Sequence, residues 1–160
     1  MNQDSHGDTQ EELRRFLDGG VRDAIGLRGE DLSVGLEVAR NHLRRGAPAE
    51  AFRIYVGLIL CEPTNVEFQV GLANCALHLE EAHLALQAAS AVVSLAPKDP
   101  RGYYLSGRAC LTLGHLAEAQ EDLTDALARA REARDAATAD AARRLLQSLT
   151  LPAAPAAAGA

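Results

Sequence analysis

The sequence predicts an all-α fold, a stacked array of three helix–turn–helix units with a short helical segment before it and a capping helix after it. Three observations carry that expectation. Small residues recur at a spacing of 34, at Ala39, Ala73 and Gly107 and again at Ala51, Ala85 and Ala119. Turn residues keep the same phase: Pro63 with Pro97, and Gly46 with Gly114 two periods on. The composition suits helices, since 48% of the 160 residues are apolar while only 4% are aromatic and Trp is absent. A unit of this length cannot bury its apolar face alone and must stack on a neighbour.

A 34-residue period with small residues at fixed phases is that of the tetratricopeptide repeat, which stacks into a right-handed superhelix. The N-terminal segment, residues 1–30, precedes the array. Its EELRRFL stretch, Glu11 to Leu17, predicts a short helix with Leu13, Phe16 and Leu17 on one face, stopped by Asp18, Gly19 and Gly20. Val21 to Leu27 predicts a further short helical stretch. This apolar face either caps the first repeat or pairs with a second copy of the chain, and the sequence leaves both open.

The repeats occupy residues 31–131. The first, Asp31 to Pro63, places helix A near Leu32 to Arg45 and helix B near Ala49 to Cys61. Gly46 suits the left-handed end of helix A, and Pro48 the first turn of helix B, where a missing N–H does no harm. The second repeat runs from about Val66 to Pro97, with Glu80 where the other repeats have glycine. The third runs from about Pro100 to Arg131; Asp99 before Pro100 is its start signal. It lacks a closing proline, so its helix B is free to run on. Residues 132–150 predict a capping helix, Glu132 to Leu149. Arg134, Asp135, Asp140, Arg143 and Arg144 suit it to an open array end, with Leu145, Leu146 and Leu149 on its inner face. Residues 151–160 form a Pro/Ala tail with nothing to bury, expected to be disordered.

The periodic small residues lie where helix axes must approach closely, and a larger side chain there would overpack the contact. Tyr55, Leu58, Val92, Val93, Leu123 and Leu127 recur at helical spacing and predict the core.

Charge and motif content bound the function. The net charge of −6 makes nucleic acid and anionic membrane poor partners. No apolar run approaches a membrane span, and the polar N-terminus has no signal-peptide core, so a cytoplasmic protein is expected. Cys61, Cys75 and Cys110 are odd in number and widely spaced, which argues against disulfides or a zinc site, and Cys75 and Cys110 fall on helix A interiors, where a buried free thiol is usual. The sequence has no HExxH, GxSxG, P-loop or Cys-x-x-Cys motif, and Gly26 to Gly29 follows no strand. His6, His42, His78, His83 and His115 share no ligand spacing. No catalytic residue, metal or cofactor is expected, and binding rather than enzymatic activity follows.

In such an array the A helices line the concave side. By repeat phase the groove-facing residues are Leu36, Arg40 and Leu43, then Val70, Asn74, Leu77 and His78, then Arg101, Tyr104, Arg108 and Leu111. Apolar contacts from Leu, Val and Tyr, with Arg40, Asn74 and Arg108 as donors, suit an extended peptide whose side chains enter apolar pockets while its main chain is hydrogen-bonded. The carboxylate clamp of heat-shock co-chaperones is broken here. Leu36 and Arg40 occupy its first-repeat positions, Gly71 and Gly107 occupy others, and only Arg101 matches.

Gly107 to Leu127, GRACLTLGHLAEAQEDLTDAL, resembles the third repeat of the class II chaperones of bacterial type III secretion, the LcrH/SycD-like family. Leu36 to Leu79 is similar to their first repeat and the following helix. The resemblance covers about residues 30–149. It implies a cytoplasmic, non-enzymatic virulence chaperone that holds an extended segment of a hydrophobic translocator in its groove, keeps it soluble and unassembled before export, and self-associates as a homodimer through N-terminal helices. By position Leu36, Arg40 and Leu43 match first-repeat groove residues of that family, where aromatics are usual; Tyr104 is the aromatic of this groove. The alternatives are a generic repeat adaptor, such as an assembly factor for another envelope machine, and an enzyme or its regulatory subunit, for which the sequence offers no candidate residue.

Overall fold

A computed structural model describes residues 21–150 as eight helices. The short α1 is Val21–Ala24. Three helix pairs follow: α2 (Gly29–Arg44) with α3 (Pro48–Cys61), α4 (Val66–His78) with α5 (Ala82–Leu95), and α6 (Pro100–Leu113) with α7 (Leu116–Ala133). A single helix, α8 (Ala136–Thr150), closes the array. Leu13, Phe16 and Leu17, the helix expected over Glu11 to Leu17 and the tail at residues 151–160 lie outside the described residues.

The helix ends repeat as faithfully as the small residues do. Asn65 caps α4, its Oδ1 accepting from the backbone N–H of Glu67 at 3.1 Å. Asp99 caps α6 by accepting from Arg101 N at 2.9 Å, and Asp135 caps α8 by accepting from Thr138 N at 3.0 Å. At the other end, four helices close with the same six-residue hydrogen bond: Ala47 N to His42 O, Glu81 N to Ala76 O and His115 N to Cys110 O, each at 2.9 Å, and Asp135 N to Ala130 O at 2.8 Å. The residue before each donor is left-handed: Gly46 (φ 73°), Glu80 (62°), Gly114 (78°) and Arg134 (58°). Glu80 thus adopts the backbone that its glycine counterparts adopt.

Two boundaries differ from the sequence expectation. Asp31 shares the phase of Asn65 and Asp99, yet α2 begins at Gly29, because the Asp31 carboxylate accepts the Arg28 N–H at 2.8 Å and carries the helix back past the expected start. The single helix expected over Glu132 to Leu149 is divided instead. Helix α7 runs on through Ala133, Arg134 turns left-handed, and Asp135 starts α8, so Arg134 and Asp135 form the turn rather than helix surface.

From α2 onward each helix packs against the next along the chain. In addition α2 touches α4, α4 touches α6 and α6 touches α8, whereas α3, α5 and α7 make no comparable contact with one another. The helices crowd on one side and splay on the other. That curves the array with α2, α4, α6 and α8 inside, and makes α8 the fourth member of the inner row.

Close approach comes from the periodic small residues. Ala39, Ala51, Ala73, Ala85 and Ala119 are fully buried. A Cβ on Gly107 would lie 2.7 Å from Leu123 Cγ, so only glycine admits that side chain. Tyr55, Leu123, Val92 and Cys75 are the largest fully buried side chains. The three cysteines are free and buried, and burial pushes the Cys75 thiol up to about 12, which leaves it protonated and inert. Before the repeats, α1 rests on α3, Arg22 Nη1 meets Glu62 Oε1 at 2.7 Å, and Leu27 packs on the core. This part of the N-terminal segment covers the first repeat.

Candidate functional site

The inner helices carry their side chains in a common register. Five residues after Asp31, Asn65 and Asp99 stand Leu36, Val70 and Tyr104; nine after stand Arg40, Asn74 and Arg108; twelve after stand Leu43, Leu77 and Leu111. These offsets share one flank of a 3.6-residue helix. Leu36, Leu43, Val70, Leu77 and Tyr104 are half-buried against the first core cluster, and Leu111 against the third. Each rests one side on the core and shows the other to solvent. The surface has two apolar rows with a polar row between them. His78 is the last residue of α4 and is exposed. Arg101 stands in a fourth row near the helix starts, one period after Glu67.

That fourth row meets the polar row in a chain of charges across three helices. Glu67 of α4 sits between Arg40 of α2, at 2.8 Å, and Arg101 of α6, at 2.6 Å. Arg101 also meets Asp99 at 2.7 Å. The hydrogen bond from Arg101 holds the Glu67 carboxyl below its ordinary range, with Arg40 adding to it against the opposing effect of burial. Burial opposes ionisation of Asp99 too, but hydrogen bonds from the Arg101 side chain and backbone hold it below the usual value. The network ties successive repeats at one edge of the surface.

The donors have internal partners of differing strength. Arg40 is engaged with Glu67. Asn74 Nδ2 donates to Val70 O at 3.0 Å, which leaves its second N–H and its carbonyl for other partners. Arg108 lies over the Tyr104 ring, 5.7 Å from its centroid, and among the described residues it pairs with no carboxylate. Glu67 escaped the sequence reading, which took Asp99 only as a helix start. The signal for Glu67 was present, since Glu67 and Arg101 bear opposite charges at one phase of the repeat.

Among the described residues no three His, Cys, Asp or Glu side chains gather as a metal would need, and no helix is long and apolar enough to cross a membrane.

No protein-family model matches the chain. A stretch of 106 residues is 35% identical to cellulose synthase operon protein C of Pseudomonas fluorescens, covering 66% of this chain but only 8% of that protein. The chain therefore spans a small fraction of that relative's length. Among solved structures, the type III secretion translocator chaperone SycD of Yersinia enterocolitica superposes with a TM-score of 0.73 at 20% identity, over 79% of this chain and 96% of SycD. The chain has the fold of the type III secretion translocator chaperones. PcrH in complex with the chaperone-binding region of PopD is also similar, with a TM-score of 0.72 and 25% identity over 78% of this chain and 95% of PcrH. Each of those chaperones is matched over nearly its whole length, so the repeats and the helices flanking them correspond together.

Proposed function

We propose that this chain is a cytoplasmic chaperone of type III secretion translocators. An extended segment of a hydrophobic secreted protein binds along the inner helices, which keeps that protein soluble and unassembled before export. The observation that carries this reading is the surface of α2, α4 and α6, two rows of half-buried apolar side chains flanking a row of donors, on a fold shared with PcrH, which was solved in complex with the chaperone-binding region of PopD. Peptide side chains enter between Leu36, Val70 and Tyr104 on one side and Leu43, Leu77 and Leu111 on the other. Asn74 and the arginines meet the peptide backbone. Affinity comes from apolar burial and main-chain hydrogen bonds, with no catalytic step and no nucleotide. Leu13, Phe16 and Leu17 supply the homodimer contact.

A second reading is favoured by the cellulose synthase operon relative: a repeat adaptor within another envelope machine, using the same groove. Purification of the tagged chain from its native host, followed by mass spectrometry of what accompanies it, separates the two. A near-stoichiometric secreted protein with long apolar segments is the expected result. A component of an envelope-assembly or polysaccharide-export machine in its place assigns the adaptor role.

A further inference from the structure

The polar row does not stop at the third repeat. Helix α8 is the fourth inner helix, capped by Asp135 as α6 is by Asp99, and nine residues after that cap stands Arg144. Ala139 and Ala142 bury the opposite flank of α8, which leaves Arg144 exposed on the flank that carries Arg108 in α6. The row therefore reads Arg40, Asn74, Arg108, Arg144. On a chain of net charge −6, this line carries three arginines and no acid.

The two ends of the row differ. Arg40 is engaged by Glu67. Neither Arg108 nor Arg144 pairs with a carboxylate among the described residues, and the nearby Asp140 is taken by Arg143 at 2.6 Å. The first half of the surface shows two guanidinium groups of the inner helices closing on one carboxylate, since Glu67 of α4 lies between Arg40 of α2 and Arg101 of α6. We propose that a carboxylate is likewise taken in the second half, where Arg108 and Arg144 on the neighbouring α6 and α8 receive an Asp or Glu side chain of the bound segment. Tyr104, with Arg108 over its ring, and Leu111 receive the apolar residues beside it. The ligand class is thus an extended apolar segment with an internal acidic residue. A forked guanidinium suits a carboxylate, and a charge pair on an otherwise apolar contact fixes the register of the segment. The inference rests on the groove reading above.

The test uses a random dodecapeptide library, N-acetylated and C-amidated so that no terminal carboxylate competes, screened against the full chain and against Arg108→Gln/Arg144→Gln. The expected result is that the native chain retains apolar peptides enriched in Asp or Glu, and that the double variant retains apolar peptides without that enrichment. For one retained acidic peptide, Kd rises by about fivefold to tenfold in the variant or on Glu→Gln in the peptide, and little more when both changes are combined. Arg144→Gln alone, at an exposed position, is expected to give part of the effect and guards against a folding defect at Arg108. Apolar peptides without acidic enrichment, or enrichment that survives the double variant, overturn the arginine assignment and leave the groove standing. Retention of no peptide at all overturns the groove reading, and this inference with it.

Discussion

The ring of Tyr55 on α3 packs against α4 at Gly71, so closely that a Cβ there would sit 2.0 Å from Tyr55 Cε1. Tyr55 is 2% exposed and joins the first repeat to the second. The glycine is a hole shaped to the ring. A methyl group at that distance forces either the phenol or the helix to move.

Gly71→Ala is accordingly expected to destabilise the fold by about 2–3 kcal/mol, despite the better helix propensity of alanine. Gly57→Ala is the control, because a Cβ there meets nothing within 4 Å. That change is expected to stabilise by about 0.5–1 kcal/mol. Urea unfolding followed by circular dichroism measures both, and equal effects at the two sites would refute the packing account.

The left-handed backbone of Glu80 gives a second prediction. Glu80→Gly removes the Cβ strain at φ 62° and loses no side-chain contact that the fold uses. The gain is expected to be about 0.5–1 kcal/mol, since the relief of strain exceeds the added freedom of glycine in the unfolded chain. A lower urea midpoint would mean that the Glu80 side chain contributes more than its backbone costs.

Leu43→Glu with Tyr104→Glu places two carboxylates in the apolar rows of the proposed groove. Partner binding is expected to fall at least a hundredfold, while the helical signal stays near that of the native chain. Measured affinity within a few-fold of native, in a folded double variant, would exclude the inner face as the binding surface.

Asp122 gives a pH-dependent test. Its carboxylate is half-buried between α6 and α7, accepts from Ser106 Oγ at 2.6 Å, and is pushed above its ordinary value, chiefly by burial. A folded value above the unfolded one means that the protonated acid favours the fold, and that this contribution is lost as pH rises through the folded value. Asp122→Asn keeps an acceptor for Ser106 without the charge. It is therefore expected to raise the melting temperature at pH 7 and to have little effect near pH 3, which thermal melts across that range would check. A shift that is the same at both ends would remove ionisation as its cause.

Removal of residues 1–20 leaves the Arg22–Glu62 pair and Leu27 in place. The solution mass from light scattering is expected to fall by half if Leu13, Phe16 and Leu17 join two copies. An unchanged mass per particle assigns them another role.

The repeat architecture was legible because a stacked array imposes one spacing on everything it needs. The small residues Ala39, Ala73 and Gly107 and the turn positions Gly46 and Gly114 follow from a single period, and Asp99 before Pro100 marked a helix start. The same phase located the half-buried rows of the inner face, because a residue's flank on a helix is fixed by its offset from the helix start. The period placed Glu80 where the other repeats have glycine, and the structure shows that it takes their left-handed backbone.

The contacts between repeats were not legible, because they depend on distances that no local pattern encodes. Nothing in the sequence says that Glu67 reaches Arg40 as well as Arg101, since the lateral offset between α2 and α4 decides it. The ring of Tyr55 against Gly71 needs the two helices in place before the missing Cβ has meaning. The break at Arg134 belongs here too: the hydrogen bond from Asp135 N to Ala130 O ends α7 in a stretch whose composition reads as continuous helix. Helical period and turn chemistry are properties of the chain, and so the sequence by itself determined the repeats and the facing of their helices. The separation and offset of packed helices are properties of the whole stack, and so only the tertiary structure decided which charges meet and which arginines remain without an acid.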